Sequence, residues 1–249
     1  MVMKDKQSVQ DGEYDFPYHY IPQFKDGFSQ HLEWNWSKNY TSAIEFIIEE
    51  VNKNKEILSI ADVGCGDGRV TRELSIELSH LDVTGIDYST KAINLAKSLN
   101  PGIKFHNIDI INETMELKFD AITLIEVFEH IPVDLCHEFI RSLSKILNEK
   151  GVVYLTVPHK NIPLSDKHEQ HFDLKKLTTY YGEFFEVKDV IYIQKSTFLL
   201  KIINKLLSNS FFIITSRFLN LCAYKYYKKY CFYSEESACQ RIFLKLQKK

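Results

Sequence analysis

Residues 57–69, ILSIADVGCGDGR, followed at 83–89 by VTGIDYS, decide how the rest of the chain is read. The first stretch is an apolar, β-branched run ending on an acidic residue. Glycines then stand at alternate positions, Gly64, Gly66 and Gly68, ahead of a segment with helical character. That order describes a buried strand, a tight turn and a helix N-terminus. Glycine in such a turn lets backbone approach a ligand with no Cβ in the way. The second stretch ends another strand on Asp87, where dinucleotide folds carry a ribose-binding carboxylate.

The loop chemistry narrows the ligand. Its glycines are spaced G-x-G-x-G rather than G-x-G-x-x-G, and Asp62 and Asp67 flank them. Carboxylates beside a pyrophosphate cost Coulomb energy, whereas a ligand bearing an ammonium and a sulfonium is favoured there. The loop therefore suits S-adenosylmethionine (SAM) better than a nicotinamide dinucleotide.

Working outward, the pattern predicts strands at 57–63, 82–87, 103–107, 119–125 and 151–157, with helices at 39–53, 68–79, 89–99 and 131–148. Such alternation implies right-handed crossovers and a parallel α/β sheet covered on both faces. A ligand then sits at the carboxyl ends of the strands. Past residue 158 come a polar, His-rich loop, a short helix at 173–182, a strand at 184–193 and its antiparallel partner at 240–247. Three regions follow: an aromatic N-terminal arm or lid (1–38), a core (39–194), and a basic helical excursion with the final strand (195–249). The arm's YDFPYHYIP (14–22) is expected to be extended. It either covers the pocket, with Tyr18 and His19 able to bond a sugar, or simply docks on the core.

The chain has 249 residues and a net charge of −2, so whole-molecule electrostatics name no polyanionic partner. Its five cysteines are scattered without a CxxC pair, which fits a reducing compartment and argues against a structural zinc or a disulfide scaffold. No signal-peptide core or membrane-spanning run is present in the sequence, and a soluble cytoplasmic protein is expected. Residues 195–233 hold seven basic residues and no acidic one, leaving about −9 on the rest of the chain. That segment is either an amphipathic cover on the sheet or a surface for an anionic partner such as a peripheral membrane contact. A homodimer contact is a further possibility there.

Glu126, Glu129 and His130 are spaced i, i+3 and i+4, so on a helical turn their side chains converge. Topology returns His159, His168 and His171 to the same edge. Two carboxylates and two imidazoles make a divalent-metal site, and His130 reads equally as a lone base or a structural residue.

DVGCGDG, GIDYS, HNIDI and FDAITLIEVFEHI, in that order, resemble the successive motifs of the class I (Rossmann-like) SAM-dependent methyltransferases. The resemblance spans roughly residues 40–193. It implies a seven-stranded, mostly parallel sheet with helices on both faces, an antiparallel last strand and a helical insertion before it. It also implies that Gly64, Cys65 and Gly66 line the methionine part of SAM, with Asp62 near its ammonium. Asp87 would accept the ribose hydroxyls and Tyr88 cover the adenine. Asp109 would accept from the adenine amino group, with Ile110 packed on the ring, while Ile125 and Glu126 stand beside the ribose and the reacting methyl.

The EVxEH stretch is similar to one in ubiquinone-pathway O-methyltransferases and to the metal-binding ExxEH of small-RNA 2′-O-methyltransferases. That likeness implies magnesium or manganese held by Glu126, Glu129, His130 and His171, with Glu126, His130 and His171 catalytic. The reaction implied is methyl transfer from SAM to an oxygen or nitrogen nucleophile, with a small-molecule or glycan hydroxyl the acceptor the sequence suits best. RNA is disfavoured, because the aromatic signature after the last histidine and the flanking domains of the RNA enzymes are missing. A metal-dependent RNA 2′-O-methyltransferase and a non-catalytic SAM-binding scaffold remain the alternatives.

Overall fold

The computed structural model describes residues 14, 18–20, 34–209, 211–214 and 216–249. The first half comprises α1 (Trp34–Asn52), β1 (Ser59–Val63), α2 (Arg69–Glu77), β2 (Asp82–Asp87), α3 (Thr90–Leu99), β3 (Lys104–Asn107) and β4 (Phe119–Ile125). Then come α4 (Cys136–Lys145), β5 (Leu147–Pro158), α5 (Leu174–Tyr181), β6 (Phe185–Lys195), α6 (Phe198–Leu207), α7 (Arg217–Tyr230) and β7 (Cys239–Lys248). The strands form one seven-stranded sheet in the order β3-β2-β1-β4-β5-β7-β6. β3 through β5 run parallel, and β7 lies antiparallel between β5 and β6.

Strand alternation divides the core between two faces. Ile60, Tyr154 and Phe243 meet apolar residues of α1, α2, α6 and α7 on one face. Their chain neighbours Ala61, Val153, Leu155, Ile242 and Leu244 meet α4 and α5 on the other. The chain runs outward from β1 to β3 and then returns to place β4 on β1's other side. The β1–β4 boundary is therefore a topological switch point, the crevice where α/β sheets bind ligands.

Three boundaries differ most from the sequence pattern. α1 opens at Trp34, inside the region read as the arm. The helix predicted over 131–148 follows a 3-10 turn at Phe128–His130, starts as another 3-10 turn at Val133–Leu135, and becomes α4 only at Cys136. Pro132 explains the break: it disfavours helical backbone at the preceding residue, and Ile131 is extended at φ −75°, ψ 126°. β5 starts early because Leu147 pairs with Phe119, after which the register slips and resumes at Val152 opposite Ala121.

Candidate active site

The glycine loop is held by the strand beside it. Gly64 and Cys65 both donate their N–H to the carbonyl of Ile86 at 2.8 and 3.1 Å, which bends the chain over the end of β2. Gly64 adopts φ 73°, and a Cβ there would overlap the Val127 methyls. Gly66, at φ 54°, donates its N–H to Asp87 Oδ2 at 2.9 Å. Asp87 Oδ1 accepts the Ser89 N–H at 2.8 Å. The carboxylate expected to receive the ribose thus also fixes the turn and opens α3.

Asp62 is buried beneath the loop, where its two oxygens accept from Thr71 Oγ1 at 2.6 Å and Thr123 Oγ1 at 2.9 Å. Burial pushes its carboxyl up to about 6, against the pull of those hydroxyls. Cys65 is buried against Ile93, Ala96 and Phe105, and burial pushes its thiol up. At the end of β3, Asp109 accepts the Ile111 N–H at 3.0 Å and the Asn112 amide at 2.7 Å, Ile110 is buried, and Tyr88 is exposed.

Part of the arm reaches this loop. Tyr14 Oη lies 2.6 Å from where a Cβ on Gly66 would stand. His19 Nδ1 lies 2.9 Å from Asp67 Oδ2, Tyr20 donates to the Asp67 carbonyl at 3.1 Å, and Arg69 donates to the His19 carbonyl at 2.8 Å. Asp67, read from sequence as facing a cationic ligand, is occupied by His19 instead. The Tyr18 side chain, expected to face a sugar, lies outside the described residues.

β4 ends at Ile125, half-buried against the first core face, and the next residue departs from helical geometry. Glu126 sits at φ 55°, a left-handed conformation that costs a non-glycine residue on the order of 1–3 kcal/mol. Its N–H bonds the Thr156 carbonyl at 3.0 Å, and its Oε2 lies 2.6 Å from Arg241 Nε. Glu126 therefore does not join Glu129 and His130 on a helical turn. The convergence expected from the i, i+4 spacing fails because the residue that should begin the turn still closes the strand.

Glu129, His130 and His168 do converge, with one potential ligand atom from each lying within 4.8 Å of the others. Glu129 is fully buried, and among the described residues neither carboxylate oxygen has a hydrogen-bond partner. Burial, then the nearby Glu126 charge, holds its carboxyl well above the ordinary range. His130 Nδ1 lies 3.1 Å from the Lys167 carbonyl. A carbonyl only accepts, so Nδ1 carries a proton. The same logic fixes the other pair. His171 Nδ1 donates to the Ile162 carbonyl at 3.1 Å, so its Nε2 accepts from His168 Nδ1 at 2.8 Å. His168 Nε2 is left as the nitrogen with the lone pair. Burial and the neighbouring His130 push the His168 imidazole down to about 3, so it is neutral.

The four-residue metal set expected from the sequence is thereby corrected. Glu126 belongs to Arg241, and His171 orients His168 instead of joining the cluster. His159 is also apart: its Nδ1 accepts the Asn161 N–H at 3.2 Å.

A family model described as a methyltransferase domain matches residues 35–206. The chain belongs to the class I SAM-dependent methyltransferases. A putative methyltransferase, 235L, of Invertebrate iridescent virus 6 is 33% identical over 97 residues, covering 36% of this chain and 36% of the relative. A mitochondrial ubiquinone biosynthesis O-methyltransferase of Dictyostelium discoideum is 33% identical over 132 residues, covering 45% of this chain and 40% of the relative. The matches span well under half of these curated relatives.

Among solved structures, the N-methyltransferase NodS of Bradyrhizobium japonicum, in complex with S-adenosylhomocysteine, superposes with a TM-score of 0.62. The identity is 12%, with 98% of this chain and 99% of that one covered. The magnesium protoporphyrin IX methyltransferase of Synechocystis, with bound SAM, gives a TM-score of 0.60 at 15% identity, with 100% of both chains covered. These likenesses show the methyltransferase's fold.

One residue of the site escaped the sequence reading, and another was named there without being preferred as a ligand. Arg241 comes from the last strand, and nothing local in QRIFLK sets it apart. His168 stood in plain view in HxxH, but only the tertiary placement of the loop separates it from His171.

Proposed function

We propose that this methyltransferase transfers the methyl group of SAM to a hydroxyl of a small molecule or glycan. Gly64, Cys65 and Gly66 line the methionine moiety above buried Asp62, and Asp87 takes the ribose hydroxyls with Tyr88 over the adenine. Asp109 and Ile110 bind the adenine's edge and face, and Ile125 and Glu126 close the site toward the reacting carbon. Tyr14, His19 and Tyr20 of the N-terminal arm touch the loop of the 39–194 core, and 195–249 complete the acceptor side.

The observation that carries this reading is the convergence of the His130 and His168 imidazoles on buried Glu129. In the reaction the acceptor oxygen forms a bond to the methyl carbon as the carbon–sulfur bond breaks in line. The sulfonium becomes the neutral thioether of S-adenosylhomocysteine, and His130 Nε2 takes the hydroxyl proton. Alignment and exclusion of water supply most of the acceleration. A neutral base is the group this chemistry needs, since a protonated imidazole has nothing to accept with.

The same three residues fit a divalent cation, because a buried carboxylate with both oxygens unpartnered is offset by a positive charge. Glu129, His130 and His168 would hold it, with His171 fixing the His168 tautomer. Such an ion would polarise the acceptor oxygen and lower its pKa. Two imidazoles and one carboxylate suit manganese better than magnesium.

We further assign residues 195–233 a peripheral contact with anionic lipid. No described helix is long and apolar enough to cross a membrane.

The deciding experiment is turnover of labelled SAM against fractionated cell extract, before and after chelation with EDTA. Incorporation into a base-stable, ether-bearing small molecule or glycan supports the reading. Label appearing only in RNA, or bound SAM with no turnover, overturns it. Activity that persists after exhaustive chelation removes the cation and leaves His130 as the base.

A further inference from the structure

The His168–His171 pair depends on a single carbonyl. His171 Nδ1 donates to the Ile162 carbonyl at 3.1 Å and His171 Nε2 lies 2.8 Å from His168 Nδ1, so the place of that one oxygen decides how both rings stand. Ile162 lies just beyond the neck of its loop. At the neck, Lys160 N–H bonds the Phe172 carbonyl at 2.8 Å and Phe172 N–H bonds the Pro158 carbonyl at 3.1 Å. These bonds fix residues 158–160 and leave Asn161 and Ile162 to be fixed by other groups.

His159 closes the turn from within. Its carbonyl accepts the Ile162 N–H at 3.2 Å, and its Nδ1 accepts the Asn161 N–H at 3.2 Å. Burial pushes the His159 imidazole down, which keeps that nitrogen an acceptor. Asn161 holds the turn from outside. Its Nδ2 donates to the Glu236 carbonyl at 2.6 Å and to the Cys239 carbonyl at 3.1 Å. Both N–H groups of the amide are thus committed to the two ends of the 3-10 turn Glu236–Ala238, which leads into β7.

An exposed amide of this kind does little for stability, because water replaces its bonds in the unfolded chain. Its effect is to fix a position. Farther along the loop, Glu169 donates its N–H to the Glu129 carbonyl at 2.8 Å. One tie therefore sets the loop against Glu129, and the other sets Ile162 against the start of β7. Arg241, in the same stretch of β7, holds Glu126.

The consequence for the imidazoles follows from their donor and acceptor roles. Burial pushes the His171 ring down, so it is neutral and carries one proton. Facing the Ile162 carbonyl, that proton is on Nδ1, and Nε2 accepts from His168. Released from the carbonyl, His171 can carry the proton on Nε2 instead. It then no longer accepts from His168 Nδ1, and His168 loses the bond that orients it.

We propose that Asn161 is a positioning residue of the methyl-transfer site, holding the Ile162 carbonyl in the place from which His171 orients His168 toward Glu129 and His130. This role deepens the methyl-transfer reading and rests on it.

The test reads the rings directly. The full chain is labelled with isotopic histidine, and long-range proton–nitrogen correlation at neutral pH gives the tautomer of each ring, the His171 signals being identified by their loss in H171Q. Wild type should show His171 with its proton on Nδ1 alone. In N161A those signals should move toward a mixture of tautomers and turnover should fall on the order of tenfold, within the hundredfold that a misplacement of about 1 Å can cost. The urea midpoint and the S-adenosylhomocysteine affinity should stay close to wild type. N161D, which turns acceptors toward the two carbonyls, should match N161A, so the result does not hang on one variant. N161Q keeps an amide donor and should recover part of both losses. N148A is the control: the Asn148 amide donates to Asp120 Oδ1 at 2.8 Å near the amino ends of β4 and β5, and its removal should leave the His171 signals and turnover as in wild type. Unchanged His171 signals in N161A and N161D overturn the positioning role, and so does an equal shift in N148A. A tautomer mixture with wild-type turnover overturns it as well, since the orientation of the pair then has no part in transfer. Wild-type protein that binds S-adenosylhomocysteine but methylates no acceptor overturns the methyl-transfer reading instead, while the ring signals still decide whether Asn161 holds the pair.

Discussion

Arg241 Nε, at the start of β7, stands 2.6 Å from Glu126 Oε2, at the end of β4. Both side chains are partly exposed, so the pair itself contributes about 0–1 kcal/mol to stability. Its consequence is positional. It holds the Glu126 carboxylate away from Glu129 and keeps a left-handed residue in one orientation beside the switch point. Arg241→Gln should therefore leave the urea midpoint almost unchanged and lower turnover about tenfold, equivalent to 1.4 kcal/mol. Arg241→Lys should recover only part of the loss, since a lysine lacks the planar fork. Loss of stability with unchanged turnover would make the pair a structural strut.

Asp87 carries two loads, and its substitution should show both. Asp87→Ala removes a charged acceptor for ribose hydroxyls, on the order of 2–4 kcal/mol of cofactor affinity. It also strips the Gly66 and Ser89 N–H groups of their acceptor, costing about 1–3 kcal/mol of stability. Calorimetric titration with S-adenosylhomocysteine, paired with urea unfolding, reads the two effects separately. A destabilised variant with wild-type affinity would assign Asp87 to the loop alone.

How much of this was written in the sequence depends on the range over which each feature is determined. β2 and β4 match their predicted limits because an apolar run bounded by turn residues is a local signal. The switch-point crevice follows from strand alternation and handedness, again without long-range information. Local reading stops at Glu126. Its spacing to Glu129 and His130 is helical on paper, but the strand ladder claims its N–H through Thr156, and a cation from the last strand claims its carboxylate. His168 and His171 differ only in which one the loop turns toward Glu129. That choice is made by the Ile162 carbonyl, which commits the His171 ring to an orienting bond.

Asp62 gives a pH signature. Its folded-state carboxyl is pushed up to about 6 from 3.8, chiefly by burial. For a group raised on folding, the favourable contribution is complete below the unfolded value and is lost as pH rises through the folded one. Between pH 4 and pH 7 this residue should thus withdraw on the order of 3 kcal/mol of stability. Asp62→Asn keeps an acceptor for one threonine and offers a donor to the other, and it does not ionise. The stability difference between the variant and the parent, from urea unfolding of the cofactor-free protein, should rise over that interval and level off above it. A difference independent of pH would mean that Asp62 is ionised throughout.

The excursion between β6 and β7 presents an apolar face to solvent. On α6, Leu200 and Leu207 are buried, while Phe198 (81% exposed), Leu199, Ile202 and Leu206 line the opposite side, with Lys201 and Lys205 along its margin. The following turn is built rather than loose: Asn209 Oδ1 accepts the N–H groups of Phe211 and Phe212 at 2.9 and 3.3 Å. Phe211 at its tip is 91% exposed, and Phe218 on α7 is 73% exposed. Exposed aromatics edged by lysines match an anionic bilayer surface, where each lysine contributes about 1 kcal/mol. Lys228 is not free for this role, since it lies 3.0 Å from Glu45 Oε2. Wild-type protein should therefore float with phosphatidylglycerol vesicles but not with phosphatidylcholine vesicles, and release as salt shortens the Debye length. Lys205→Glu with Lys225→Glu, and separately Phe198→Ser with Phe211→Ser, should each reduce flotation with the fold retained by circular dichroism. If anionic vesicles are not bound at low salt and the aromatic variant instead converts a dimer to a monomer in sedimentation, the face joins two copies of the chain and the lipid assignment fails.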